Sequence, residues 1–206
     1  SSVDFCNDHS DYTEGHYTRW IRERHADPDA LRGAKNAIPT PDYVCPQAWR
    51  TRVPEELYST TYVKERTIAR LAEAARTPDR PFFLHCSFPD PHHPWTPPGR
   101  YWGRHSPADV TLPASWHQKR DELPPHVRWC HEQRDAGKAV KTTQALFAVN
   151  EREAREATAL TYDMITMIDD AVGEIMAALR QHGLDRDTVV VFTSDHADYM
   201  GDHQLM

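Results

Sequence analysis

No run of eighteen apolar residues occurs in the 206-residue sequence, so no stretch is expected to cross a membrane as a helix and no membrane partner is expected. The opening SSVDFCNDHSDY has neither a basic flank nor an apolar centre, so no signal peptide is expected there. A basic run is missing as well. The 24 Lys and Arg residues are interspersed with 31 Asp and Glu, for a formal charge of −7, a pattern that leaves no electrostatic footprint for nucleic acid. Cysteine is sparse: Cys6, Cys45, Cys86 and Cys130 stand about forty residues apart with no C-x-x-C pair. That spacing excludes a zinc ribbon or a dithiol redox motif and predicts free thiols. Glycine is scarcer than proline, 8 against 16, which predicts long, stiffened loops rather than flexible linkers. There is no internal repeat.

What is present suits one large α/β domain. Residues 1–57 show no sustained period and are broken by Pro28, Pro39, Pro41, Pro46 and Pro54, which predicts an irregular segment with short turns. STTYVKERTIARLAEAAR (59–76) carries Val63, Ile68, Leu71 and Ala75 at mostly helical spacing, and Pro78 and Pro81 stop it. RPFFLHCSF (80–88) reads as a short strand closed by Pro89. Residues 89–145 read as loops ordered by Trp95, Tyr101, Trp102, Trp116 and Trp129. A long helix is expected over 151–182, with Leu160, Ile165, Ile168, Val172, Ile175, Met176 and Leu179 as its apolar stripe and Gly183 just past its end. DTVVVFTSD (187–195) reads as a strand buried on both faces of a parallel sheet.

Strand, crossover helix, strand is a parallel unit, and ligands in such sheets gather beyond the carboxyl ends of the strands. Those ends carry Asp90, His92 and His93 in one case and Asp195 and His196 in the other, so both should share one edge. Asp195 and His196 offer a carboxylate and an imidazole to a divalent cation, although an Asp-His pair also serves as a helix cap with a packed ring. His92 and His93, in a proline-stiffened loop, are placed to protonate a leaving group or bind an anion. Asp202 and His203 are better described as a solvated turn, and Asp169 with Asp170 fits a surface pair or a tether to a loop.

The stretches PFFLHCSFPDPHHPWTPPGRYW (81–102) and TYDMITMIDDAVGEIMAALRQHGLDRDTVVVFTSDHADYMGDHQL (161–205), in that order, resemble the sulfatase family of the alkaline-phosphatase superfamily. The nearest likeness is to its choline-sulfatase and phosphonate monoester hydrolase branch. The resemblance covers roughly 59–206 and implies a three-layer α/β/α sandwich that hydrolyses a sulfate ester, or alternatively a phosphonate or phosphate ester. It also implies a divalent ion, Ca2+ foremost with Mn2+ or Mg2+ as alternatives, beside a formylglycine nucleophile. Carried onto this chain, it makes Asp195 and His196 metal ligands and His92 the histidine that assists the leaving group. His93 is the register alternative at the substrate, and His203 is a further substrate-binding residue.

The departures are equally specific. The family's first pair of acidic metal ligands has no counterpart, and none of the four cysteines stands in the C/S-x-P/A-x-R motif from which formylglycine is made. Ala197 replaces the glycine usual after the Asp-His pair. The formylglycine is therefore expected outside this chain, which is expected to be an internal part of one sulfatase-type catalytic domain and inactive alone. A two-zinc phosphodiesterase is disfavoured because Pro94 stands where its histidine would follow Asp90. A non-catalytic binding domain that keeps the fold is the other alternative. The expected partner is a small anionic ester, whose organic group (aryl, sugar or quaternary ammonium) would be chosen by loops within 95–145 and 1–58. Self-association and the choice between cytoplasm and periplasm stay open.

Overall fold

The computed structural model describes residues 15–142 and 145–206. Four α-helices organise them: α1 (His16–Arg22), α2 (Ser59–Ala75), α3 (Pro125–Asp135) and α4 (Glu151–Gln181), joined by loops that contain short 3-10 turns. α4 is the spine, with 31 residues and a length of about 46 Å. Its start is a capping box in which the Asn150 side chain accepts from the Glu153 amide at 2.9 Å while the Asn150 amide donates to the Glu153 carboxylate at 2.9 Å. Its end is a left-handed glycine: Gly183 has φ 67°. The Gly183 amide donates to the Arg180 carbonyl at 2.9 Å and the Leu184 amide to that of Leu179 at 3.1 Å, so two carbonyls of the last turn are satisfied.

α2 packs along α4, with Lys64 and Glu174 paired at 2.9 Å across the exposed margin. At one end, Tyr17, Trp20 and Ile21 of α1 meet Tyr62 and Val63 of α2, together with Val53, Leu57, Tyr58, Tyr101 and Met167. The Trp20 and Tyr62 rings stand edge-on, 5.3 Å between centroids. Each large apolar side chain buried in this way contributes about 1.5–3 kcal/mol. At the other end Leu71 meets Ala178 and Leu179. The first half of α4 is buried on most sides, and its carboxylates are paired. Glu156 accepts from the Val44 and Cys45 amides at 2.7 and 2.8 Å, Glu153 from Lys141 at 2.6 Å, and Asp163 from the Gly103 and His105 amides at 2.7 and 2.9 Å. Asp170 is the loop tether anticipated, accepting from the Tyr101 hydroxyl at 2.7 Å. Burial first, and then that bond, push the Tyr101 phenol up to about 12.

Four expectations are corrected. Residues 16–22 form a helix inside the segment expected to be irregular. Pro125, whose missing amide costs nothing at a helix start, opens α3 inside the segment expected to be loop-rich and largely without helix or strand. Leu160 and Leu179 of the expected α4 stripe are buried, but the ridge between them is Met164, Met167, Ala171 and Ala178, and Ile165 of the expected stripe is exposed. Ile165, Ile168 and Val172 lie on an adjacent row of the same helix, turned about 100° from the row of Met164, Met167 and Ala171. The fourth concerns the two strands. Residues 80–88 and 187–195 form no strand among the described residues, which contain isolated bridges only, at Ile38 with Arg50, Ala48 with Trp95, and Ala148 with Leu205. Their side chains are open rather than buried: Phe83 is 93% exposed, Val189 89% and Phe192 83%. A strand needs a ladder partner, and none of the described elements supplies one. Cys45, Cys86 and Cys130 are free thiols as expected; Cys6 lies outside the described residues.

Candidate active site

The loop after Phe88 is held at its base by Asp90, whose carboxylate accepts a short hydrogen bond from the Thr60 hydroxyl. The His92 amide donates to the Pro89 carbonyl at 3.3 Å, which makes a tight turn. His92 Nδ1 lies 2.5 Å from the His93 carbonyl oxygen. A carbonyl only accepts, so Nδ1 carries the proton and Nε2 is the nitrogen for proton exchange. The two imidazoles lie 4.1 Å apart between centroids, tilted by 31°, and His93 leans on Trp95 at 5.8 Å. Trp95 is buried and pinned to the 47–49 segment, its amide donating to the Gln47 carbonyl at 2.9 Å and its carbonyl accepting from the Trp49 amide at 3.3 Å.

Asp195 and His196 follow the apolar run 189–192 and are open to solvent, their side chains 86% and 61% exposed. Asp195 Oδ1 accepts from the His196 amide at 2.9 Å, and Oδ2 lies 3.6 Å from His196 Nε2. The Asp195 carboxyl is held below its ordinary range, first by the His196 amide, then by its own amide and the His196 ring, and also by the charge of His92.

His203 stands on a different foundation. It lies in a turn where Met200, Gly201, His203 and Gln204 all have positive φ, 45°, 96°, 53° and 59°. Its carbonyl accepts from His131 Nε2 at 2.8 Å and its amide donates to Ser115 Oγ at 3.4 Å, while the Ser115 hydroxyl donates to Asp202 in a short bond. His203 Nδ1 is buried with no hydrogen-bond partner among the described residues. Asp202 and His203 are therefore a clamped turn and not a solvated one.

Among the described residues no group of three or more His, Cys, Asp or Glu side chains is arranged to hold a metal ion. Asp195 and His196 fit part of such a set. An oxygen and a nitrogen 3.6 Å apart match neighbouring donors around an ion bound at about 2.3 Å. Formylglycine does not fit, because no cysteine is in the required motif. The supports from Thr60, Ser115 and His131 escaped sequence reading, since each is at least thirty residues from the residue it holds and no periodic pattern marks it.

Comparison with known proteins bears on what this arrangement is. A sequence profile described as Sulfatase matches residues 3–205. An arylsulfatase of Clostridium perfringens (strain 13 / Type A) is 33% identical over 151 residues, which cover 72% of this chain and 28% of that protein. The multifunctional alkaline phosphatase superfamily protein PehA of Trinickia caryophylli is 29% identical over 168 residues, covering 76% of this chain and 30% of that protein. A choline-sulfatase of Rhizobium meliloti (strain 1021) is 26% identical over 126 residues, covering 61% and 23%. The chain thus spans less than a third of the length of each of these relatives. With the profile matched along nearly the whole sequence, the chain belongs to the sulfatase family, whose fold is alkaline-phosphatase-like α/β.

Proposed function

We propose that this chain contributes the leaving-group side of the active site in a metal-dependent hydrolase of sulfate esters. The observation that carries the reading is the match of the Sulfatase profile along residues 3–205, together with the hydrogen bond that fixes His92 Nδ1 on the His93 carbonyl. His92, with Nδ1 fixed on the His93 carbonyl, presents Nε2 as the atom that gives a proton to the departing oxygen. Asp195, kept anionic by two backbone amides and two imidazoles, attracts a cation and discourages a second anion except beside one. His196 adds a nitrogen donor, and His93 and His203 are assigned to the substrate. A divalent ion held by Asp195 and His196, Ca2+ foremost, supplies Lewis-acid neutralisation of the ester. No step is derived through formylglycine, which the residues present do not accommodate. The bare apolar runs 82–84 and 189–192 support a three-layer α/β/α sandwich, as strands that enter the central sheet once neighbouring strands pair with them.

A phosphonate or phosphate ester is the second reading, favoured by the likeness to PehA. Both are tested with the protein expressed from its complete coding sequence and supplied with 4-nitrophenyl sulfate or a 4-nitrophenyl phosphonate. His92→Ala is expected to lower turnover by about 10²-fold or more, and Asp195→Asn to weaken Ca2+ binding measured by calorimetry. Undiminished turnover by both variants would refute the assignment, and a preference for the phosphonate would select the second reading.

A further inference from the structure

A loop histidine transfers protons only as accurately as its loop is held, because an error of about 1 Å costs on the order of 10²-fold in rate. The loop bearing His92 and His93 is fastened on both sides of the pair, and both fasteners come from the start of α2. Ahead of the histidines, the Asp90 carboxylate takes the Thr60 hydroxyl. Behind them, the hydroxyls of Tyr58 and Thr96 share a hydrogen bond of 2.9 Å. All four residues are buried, so water is a poor substitute for either bond. Tyr58 flanks α2 from extended backbone and Thr60 lies in its first turn, where unpaired amides and the helix dipole favour a carboxylate such as that of Asp90. A small pocket lined by Tyr58, Asp90, His92, His93 and Thr96 lies between helix start and loop. α2 is anchored independently by Tyr62, Val63 and Leu71 in the core.

We infer that Thr60 and Tyr58 are positioning residues: with Asp90 and Thr96 they form a two-point clamp that sets where the His92 imidazole stands. The inference rests on the catalytic reading of His92, and the experiment separates the two. T60V is nearly isosteric and removes only the hydroxyl; T60S restores it. By hydrogen–deuterium exchange, T60V raises exchange of the amides of His92, His93 and Trp95 about tenfold or more, the loss expected for a bond to a charged group. The amides around Leu160 in α4 keep their protection, and T60S returns the loop to its parent behaviour. In the protein expressed from its complete coding sequence, T60V lowers kcat for 4-nitrophenyl sulfate at least tenfold, with KM within twofold, and T60S recovers it.

Unchanged loop exchange, or equal loss of protection in α4, overturns the clamp. A loosened loop with unchanged kcat overturns the positioning role. H92A serves as the reference: if it lowers turnover while T60V leaves kcat unchanged, the positioning role falls and the catalytic reading stands. If H92A keeps full turnover, the catalytic reading falls while the exchange result still decides the clamp. Y58F removes the rear bond and carries the same expectations should T60V fail to fold.

Discussion

Replacing Asp163 with alanine removes a carboxylate with no solvent exposure that accepts the Gly103 amide at 2.7 Å, the His105 amide at 2.9 Å and His105 Nδ1 at 3.0 Å. The two amide bonds go to a charged acceptor and are worth about 1.5–3 kcal/mol each. The imidazole bond adds little, because the His105 side chain is 41% exposed and water competes for it. Partial relaxation of the 103–105 turn, which lets water reach the orphaned amides, returns some of the sum. The net loss expected is about 3–4 kcal/mol, which for a chain of this size is a fall in Tm of roughly 6–16 °C. Asp163→Asn keeps one carbonyl acceptor and should lose about half as much. Urea unfolding followed by tryptophan fluorescence measures both variants at constant m. A loss below about 1 kcal/mol for Asp163→Ala would show that the buried carboxylate does not organise the 103–105 turn and would undo the account of how α4 holds its loops.

Three further outcomes follow from the same structure. Gly201→Ala places a side chain at φ 96°, where neighbouring contacts of 3.5–3.6 Å are tolerable but the backbone is not; thermal unfolding should show a loss of about 1–3 kcal/mol. Asn150→Ala deletes one half of the α4 capping box and should cost about 0.5–2 kcal/mol in the same assay. His131 is held below its ordinary value, chiefly by burial and secondly by Arg134 and Arg120, against the opposing pull of the His203 carbonyl. Between the folded and unfolded values the unfolded chain binds more protons, so the contribution of His131 is present above the unfolded value of about 6.5. It is lost as pH falls through the folded value. Melting temperatures recorded from pH 7.5 to 5 should decline less steeply in His131→Gln than in the parent.

The parts of this fold legible in the sequence are those that carry their own hydrogen bonds. The helix expected over 151–182 is α4 at Glu151–Gln181, and the one expected over 59–76 is α2 at Ser59–Ala75. Caps, stop signals and apolar spacing all lie within the segments themselves. α1 escaped because seven residues are too few to display a period, although Tyr17, Trp20 and Ile21 have helical spacing in hindsight. Which ridge of α4 is buried depended on where α2 lands, and that is a tertiary fact. The 82–88 and 187–195 segments have strand composition without strand structure, since β-propensity describes a fit to neighbours that must be present. At the site, His92, His93, Asp195 and His196 announce themselves by chemical type. Thr60, Tyr58 and Thr96 do not, because a threonine or tyrosine hydroxyl becomes meaningful only when a distant acceptor is brought to it.

The segment Thr188–Thr193, TVVVFT, holds no proline, glycine or charge, and its valines and phenylalanine face outward. Six residues of that composition with bare backbone edges are what neighbouring molecules recruit into stacked cross-β assemblies. Aggregation of the isolated polypeptide should therefore begin at this run and grow with protein concentration, and a single lysine in place of Val191, one of the outward-facing side chains, should act as a gatekeeper against it.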